Sequence, residues 1–174
     1  DGGMTGNDGE AMEADKVQAD VEDCIGGDGN DAITGNASAN VLTGGAGTDT
    51  LSGAAGNDTF DEDTADTDAD IFNGGDGVDT VDYSARLLAI TVTMDGVTAD
   101  DGDTAGSEGD DVNADVENCL GGVEADTITG NASANDIDGG AEDDVLDGAA
   151  GTDTLFGGAG ADDMTGGAGD DRPR

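Results

Sequence analysis

A nine-residue period is the feature that most constrains this chain. From Gly26 the sequence divides into GGDGNDAIT, GNASANVLT, GGAGTDTLS and GAAGNDTFD; after an insertion at 62–64 it resumes as ADTDADIFN and GGDGVDTVD. From Gly121 it runs GGVEADTIT, GNASANDID, GGAEDDVLD, GAAGTDTLF, GGAGADDMT and GGAGDDRPR. Neither an amphipathic helix nor an ordinary alternating strand repeats in this way. The glycines of each full block sit where a tight turn needs positive φ or close backbone approach. The eighth place is apolar: Ile33, Leu42, Leu51, Phe60, Phe72, Val81, Ile128, Ile137, Leu146, Leu155 and Met164. Its neighbours are mostly polar, so each block carries one inward side chain on a very short strand.

A turn and a three-residue strand bury nothing alone. Two such units back to back make a flattened coil of about 18 residues, and coils stacked at the strand spacing of about 4.8 Å build a narrow parallel core. The sixth-place acids then align in columns: Asp31 precedes Asp49, Asp126 precedes Asp144 and Asp162, and Asp153 precedes Asp171. Carboxylates at one strand spacing repel unless a cation lies between them. The whole chain has the same need, with 43 acidic residues against 4 basic ones and a net charge of -39. Calcium suits the pattern, because it takes six to eight oxygens from carboxylates and carbonyls. Magnesium demands stricter octahedral geometry, and zinc finds no His and only two Cys.

These blocks resemble the repeats-in-toxin (RTX, hemolysin-type) nonapeptide GGxGxDxUx, most closely in GGDGNDAIT, GGAGTDTLS, GGDGVDTVD and GGAGADDMT. The resemblance implies an all-β chain, a parallel β-roll or β-helix solenoid, with calcium ions held between successive turns. It assigns the metal to Asp31, Asp49, Asp58, Asp70, Asp79, Asp126, Asp144, Asp153, Asp162 and Asp171. Turn carbonyls come with them, at Gly27, Gly29, Gly45, Gly47, Gly75, Gly77, Gly158 and Gly160. It further implies a secreted or cell-surface bacterial protein, exported by type I secretion and folded in calcium outside the cell. Several blocks depart from the pattern. Asn40 and Asn135 replace the acid, Glu124 and Glu142 replace the fourth-place glycine, and Pro173 takes the core place, where the roll is expected to end or fray.

A longer period overlies the short one. DVEDCIGG at 20–27 returns as DVENCLGG at 115–122, and TGNASAN at 34–40 returns at 129–135. The opening DGGMTGNDG loosely echoes DGVTADDG at 95–102. This divides the chain into a first module, 1–94, with a nonapeptide tract at 26–82 and a strand segment at 83–94. The second module, 95–174, has an acidic loop at 95–114 and a tract at 121–174. In the strand segment, Leu88, Ile90, Val92 and Met94 alternate with smaller residues, which predicts one or two longer strands interrupting the roll. The acidic stretch DGDTAGSEGDDVNAD reads as a loop.

Other chemistries fit poorly. Nucleic acid and anionic membrane surfaces need the basic patches that this chain lacks. No apolar run approaches the roughly 20 residues of a membrane-inserted helix. With no His there is no nucleophile dyad, and the carboxylates repeat with the fold rather than forming a catalytic pair, so no enzyme is expected. DGDTAG at 101–106 starts like an EF-hand, but Val112 stands where the bidentate Glu is required. Cys24 and Cys119 are expected too far apart to bridge within the chain. The leading expectation is a calcium-binding structural β-roll that self-associates end to end into a filament or surface layer. Two readings stay open beside it: a folding and export segment of a larger secreted enzyme, adhesin or toxin, and a disordered acidic chain that buffers calcium.

Overall fold

The computed structural model describes residues 13–62, 67–97, 100–104 and 108–173. The opening echo at 1–9, part of the insertion after Asp61, and residues 98–99 and 105–107 of the acidic loop lie outside the described residues. All described secondary structure is β. The chain winds as a parallel solenoid of about eight turns, the β-roll that the nine-residue period predicts.

One face of the roll is a continuous sheet of eight strands. From its outer edge it runs through Asp23–Asp28, Val41–Ala46, Thr59–Asp61, Thr80–Asp82, Asn118–Leu120, Asp136–Asp138, Thr154–Phe156 and Arg172–Pro173. Its register aligns Cys24, Leu42, Phe60, Val81, Cys119, Ile137, Leu155 and Pro173 in one column. The opposite face is two separate five-stranded sheets. The first carries Ile33, Leu51, Phe72 and Val112 in register; the second carries Val92, Ile128, Leu146 and Met164. Every one of these pairings is parallel; among the described strands Gly102–Asp103 alone runs antiparallel, against Ile90–Thr93, and it is continued by an antiparallel bridge between Asp101 and Asp110.

The apolar columns meet in the middle. Of the eleven eighth-place residues named above, ten are buried and Met164 is partly buried against them. Phe60 and Phe72, from opposite faces, bring their rings to 5.5 Å between centroids. Because the strand spacing is fixed, neighbouring layers cannot collapse to fill a gap. Ile137→Val, which removes one methylene from a fully buried layer, should therefore cost about 1 kcal/mol in denaturant unfolding followed in excess calcium.

The interrupting segment corrects one expectation. It holds no longer strand: Ile90–Thr93 has four residues, fewer than the six of Thr50–Ala55. Ile90, Val92 and Met94 point inward as the alternation predicts, but Leu88 is 49% exposed, because the chain enters the sheet only at Ile90. The acidic stretch is not wholly loop either. Gly102–Asp103 and Asp111–Val112 each add a two-residue strand to an edge, and Val112 completes a core column. Pro173 ends the eight-stranded sheet in a two-residue edge strand whose residues are exposed, where a missing N–H costs nothing.

Candidate metal centres

Each sixth-place acid lies two residues before a core residue, so the strand that buries the apolar side chain also fixes the carboxylate at the turn. Its Oδ1 accepts the backbone N–H of the sixth residue one coil earlier. Asp31 donates to Asp49 at 2.7 Å, Asp49 to Asp70 at 2.8 Å and Asp58 to Asp79 at 2.8 Å. Asp126 donates to Asp144 at 2.8 Å, Asp144 to Asp162 at 3.2 Å and Asp153 to Asp171 at 3.1 Å. The expected acids thus gather into four runs: Asp31, Asp49 and Asp70; Asp58 and Asp79; Asp126, Asp144 and Asp162; Asp153 and Asp171.

Two acids that the periodicity missed extend the first two runs. The backbone N–H of Asp70 donates to Asp110 Oδ1 at 2.9 Å, and that of Asp79 to Glu117 Oε2 at 2.9 Å. Neither sits in a glycine turn, so the block pattern passes over them. The signal available was their place two residues before Val112 and Cys119, both fully buried.

The remaining carboxylate oxygens face glycine backbone. In Asp58, Asp79, Asp144 and Asp153, Oδ2 is buried and has no hydrogen-bond partner. A Cβ placed on Gly26 would lie 2.5 Å from the Gly44 carbonyl oxygen and 2.6 Å from Asp31 Oδ2. On Gly148 it would lie 2.6 Å from Asp153 Oδ2 and 2.8 Å from the Gly166 oxygen. A carboxylate of one coil and a carbonyl of the next therefore converge on a volume that only glycine leaves open. Among the expected turn glycines, Gly27, Gly29, Gly45, Gly47, Gly75 and Gly158 have positive φ. Gly77 and Gly160 instead allow close approach, since a Cβ there would overlap the Gly56 and Glu142 carbonyl oxygens.

Scanned against protein families, residues 25–60, 64–85, 120–155 and 141–173 match the RTX calcium-binding nonapeptide repeat, in four copies. The chain belongs to this family. A search of curated proteins finds no match. RTX repeats bind calcium, and several repeats imply several ions. The donors seen here fit that ion: they are all oxygen, they mix carboxylates with carbonyls, and the buried Oδ2 atoms lack any protein donor.

The electrostatics of the RTX turns show what the cation relieves. Burial pushes Asp79 up to about 6; the N–H of Asp58 pulls it back, while the charges of Asp58, Glu117 and Asp115 add to the rise. Asp144 is likewise pushed up to about 6 by burial, against the N–H of Asp126 and with the charges of Asp126, Asp162 and Asp138. In the acidic segment, burial raises Asp101 and Asp110 to about 7. Asp101 spans two strand ends, accepting the N–H of Thr93 at 2.6 Å and of Val112 at 2.9 Å.

The asparagine turns are built differently. Asn40 Oδ1 accepts the N–H of Asn36 in its own turn, and its Nδ2 donates to the carbonyls of Val21 at 3.1 Å and Glu22 at 3.3 Å. Asn135 repeats this, accepting from Asn131 and donating to the Glu117 carbonyl at 2.7 Å. Asn36 and Asn131 add Nδ2 bonds to Val21 and Val116, at 2.8 and 2.7 Å. Nδ2 thus bonds back to the preceding coil, while Oδ1 takes the glycine side: a Cβ on Gly35 would lie 2.7 Å from Asn40 Oδ1, so a neutral amide oxygen stands there in place of a carboxylate. Of the two glutamates at glycine places, Glu142 keeps the left-handed turn, with φ 71.

Arg86 is a further charged centre that the repeat pattern did not reveal. Its guanidinium Nη2 lies 2.5 Å from Glu62 Oε2 and 2.5 Å from Glu108 Oε1, with all three side chains buried. Tyr83, below the guanidinium, donates its hydroxyl to Asp110 Oδ2 at 2.9 Å. The chain supplies its own cation here, tying the insertion at Glu62 to the acidic segment. Both cysteines are buried, and they form no disulfide. Four strand spacings separate them, roughly 19 Å, beyond bridging distance.

Proposed function

We propose that the chain is a calcium-folded structural β-roll of a secreted or cell-surface bacterial protein, with no catalytic role of its own. The observation that carries this reading is the set of buried Oδ2 atoms of Asp58, Asp79, Asp144 and Asp153, which accept no hydrogen bond; those of Asp58 and Asp153 stand beside the carbonyls of Gly74 and Gly166, and that of Asp79 beside the carbonyl of Asp115. Calcium binds there, at Asp31, Asp49, Asp58, Asp70, Asp79, Asp126, Asp144, Asp153, Asp162 and Asp171. Binding and folding are one linked event, because stacked carboxylates repel until the ion arrives. Export by the type I route as an unfolded chain, with folding outside, follows from that linkage and from the family's prevalence in secreted bacterial proteins. End-to-end assembly into a filament or layer is supported by open sheet edges at Asp163–Thr165 and Arg172–Pro173.

Circular dichroism during a calcium titration tests the reading. The spectrum should pass from coil to β cooperatively, and a chelator should reverse it. Gradual binding with no spectral change would support the loose calcium buffer instead. Filament formation is tested separately by sedimentation in millimolar calcium, where a monomer alone would end that part of the proposal.

The asparagine turns yield a second expectation. Asn40 and Asn135 offer a neutral amide oxygen where the other turns offer a carboxylate, so those turns bind no calcium. Asn135→Asp should add one ion to the count in native mass spectrometry and lower stability in chelator, where a new unbalanced carboxylate stands against the Glu117 carbonyl.

A further inference from the structure

The last coil before the interrupting segment poses a problem of completion. Asp79 is fully buried, and its Oδ2 has no hydrogen-bond partner. In the coil before it, the Gly74 carbonyl closes the volume facing Asp58: a Cβ on Gly53 would lie 2.7 Å from that oxygen. By the same construction Gly74 and Asp79 should face the first glycine of the following coil. No glycine is there. A Cβ on Gly74 would lie 2.6 Å from Asp79 Oδ2 and would overlap the backbone carbonyl oxygen of Asp115.

Asp115 brings more than its carbonyl. Its carboxylate accepts the N–H of Gly74 and of Gly75, each at 3.1 Å, and so clamps the turn that carries Asp79. Glu117 accepts the Asp79 N–H at 2.9 Å, taking the sixth place of the next coil. Three carboxylates and a carbonyl therefore surround one glycine turn. Residues 86–119 lie outside the matched repeats, so the family pattern gives Asp115 and Glu117 no role.

We infer that Asp115 and Glu117 complete a composite calcium site with Asp79, one that joins the first nonapeptide tract to the segment leading into the second. The inference rests on the proposed calcium-linked folding and adds ligands from outside the repeat. Burial of a carboxylate oxygen without a donor, beside two further carboxylates, is otherwise costly, and a hard cation removes the cost. The duplicated sequence extends the idea. DVED at 20–23 places Asp20 and Glu22 as DVEN places Asp115 and Glu117, and both stand exposed beside the edge strand Asp23–Asp28. Wherever one module follows another, this pair is available to close the last coil of the module before it.

Native mass spectrometry in saturating calcium tests the site. D115N/E117Q should carry one ion fewer than the unaltered chain, while Asp163→Asn, on an exposed outward position, should carry the full number. Amide exchange at 74–79 should rise in the double variant and not in the control. An unchanged count with unchanged protection would overturn the inference. If the double variant shows no β signal in calcium, Glu117→Gln decides alone, since it keeps an oxygen for the Asp79 N–H. It should weaken one ion by about tenfold or more, and equal affinity at every site would overturn the proposal. An unaltered chain that binds no calcium would instead defeat the underlying reading of the fold.

Discussion

Asp144→Ala is expected to change stability strongly in excess calcium and hardly at all in chelator. With the ion present, the substitution removes a buried ligand oxygen and the acceptor of the Asp126 N–H at 2.8 Å. Breaking a buried charge pair by deleting one partner costs on the order of 3–5 kcal/mol, and the stranded N–H adds to it. In chelator the same carboxylate still accepts the Asp126 N–H but repels Asp126, Asp162 and Asp138, so the two effects offset and its loss costs the chain little. Thermal melts of both proteins, with calcium and with chelator, measure the contrast. Equal destabilisation in the two buffers would show that Asp144 serves packing rather than metal binding.

Acidity should act in opposite directions on the two forms of the protein. Without metal, the fold raises Asp79 and Asp144 to about 6 and Asp101 and Asp110 to about 7, so the folded state holds protons more tightly than the unfolded one. That contribution is fully present below the ordinary carboxylate range near 4. It is lost as pH rises through 6 to 7. The chelated chain should therefore be most compact near pH 4 and expand toward neutrality, as small-angle scattering would record. With calcium the order reverses, because the ion competes with the same protons. Each pH unit below 6 should cost about 1.4 kcal/mol per raised site, shifting the calcium midpoint upward by about tenfold per site. A midpoint constant between pH 7 and pH 5 would contradict the assignment of Asp79 and Asp144 as ligands.

The parts of this structure that recur were legible in the sequence, and the parts that occur once were not. A side chain such as Leu51 or Ile137 can be placed from its number in the block, since identical backbone conditions return at each coil. The Asp31 to Asp49 ladder follows from the same arithmetic. Asp110 and Glu117 escaped because their coils lack the glycines that mark a block, although they obey the deeper rule of standing two residues before a buried side chain. Cys24 and Cys119 likewise stand outside the marked blocks, yet both occupy the core column, Cys24 at its edge beside Leu42 and Cys119 between Val81 and Ile137. The Arg86 cluster depends on contacts between residues 22 and 24 apart that follow no period, so periodicity carries no trace of it. Leu88 failed for another cause, since alternation gives the face of a residue but not the point at which the chain joins the sheet.

The two faces of the roll also differ in mechanical continuity. Eight strands run unbroken along one side, while the other side is divided where the first five strands give way to the next. Tension along the axis would be borne by the unbroken side, and bending would concentrate at the division, which makes the molecule a stiff rod with one joint that yields in a single direction.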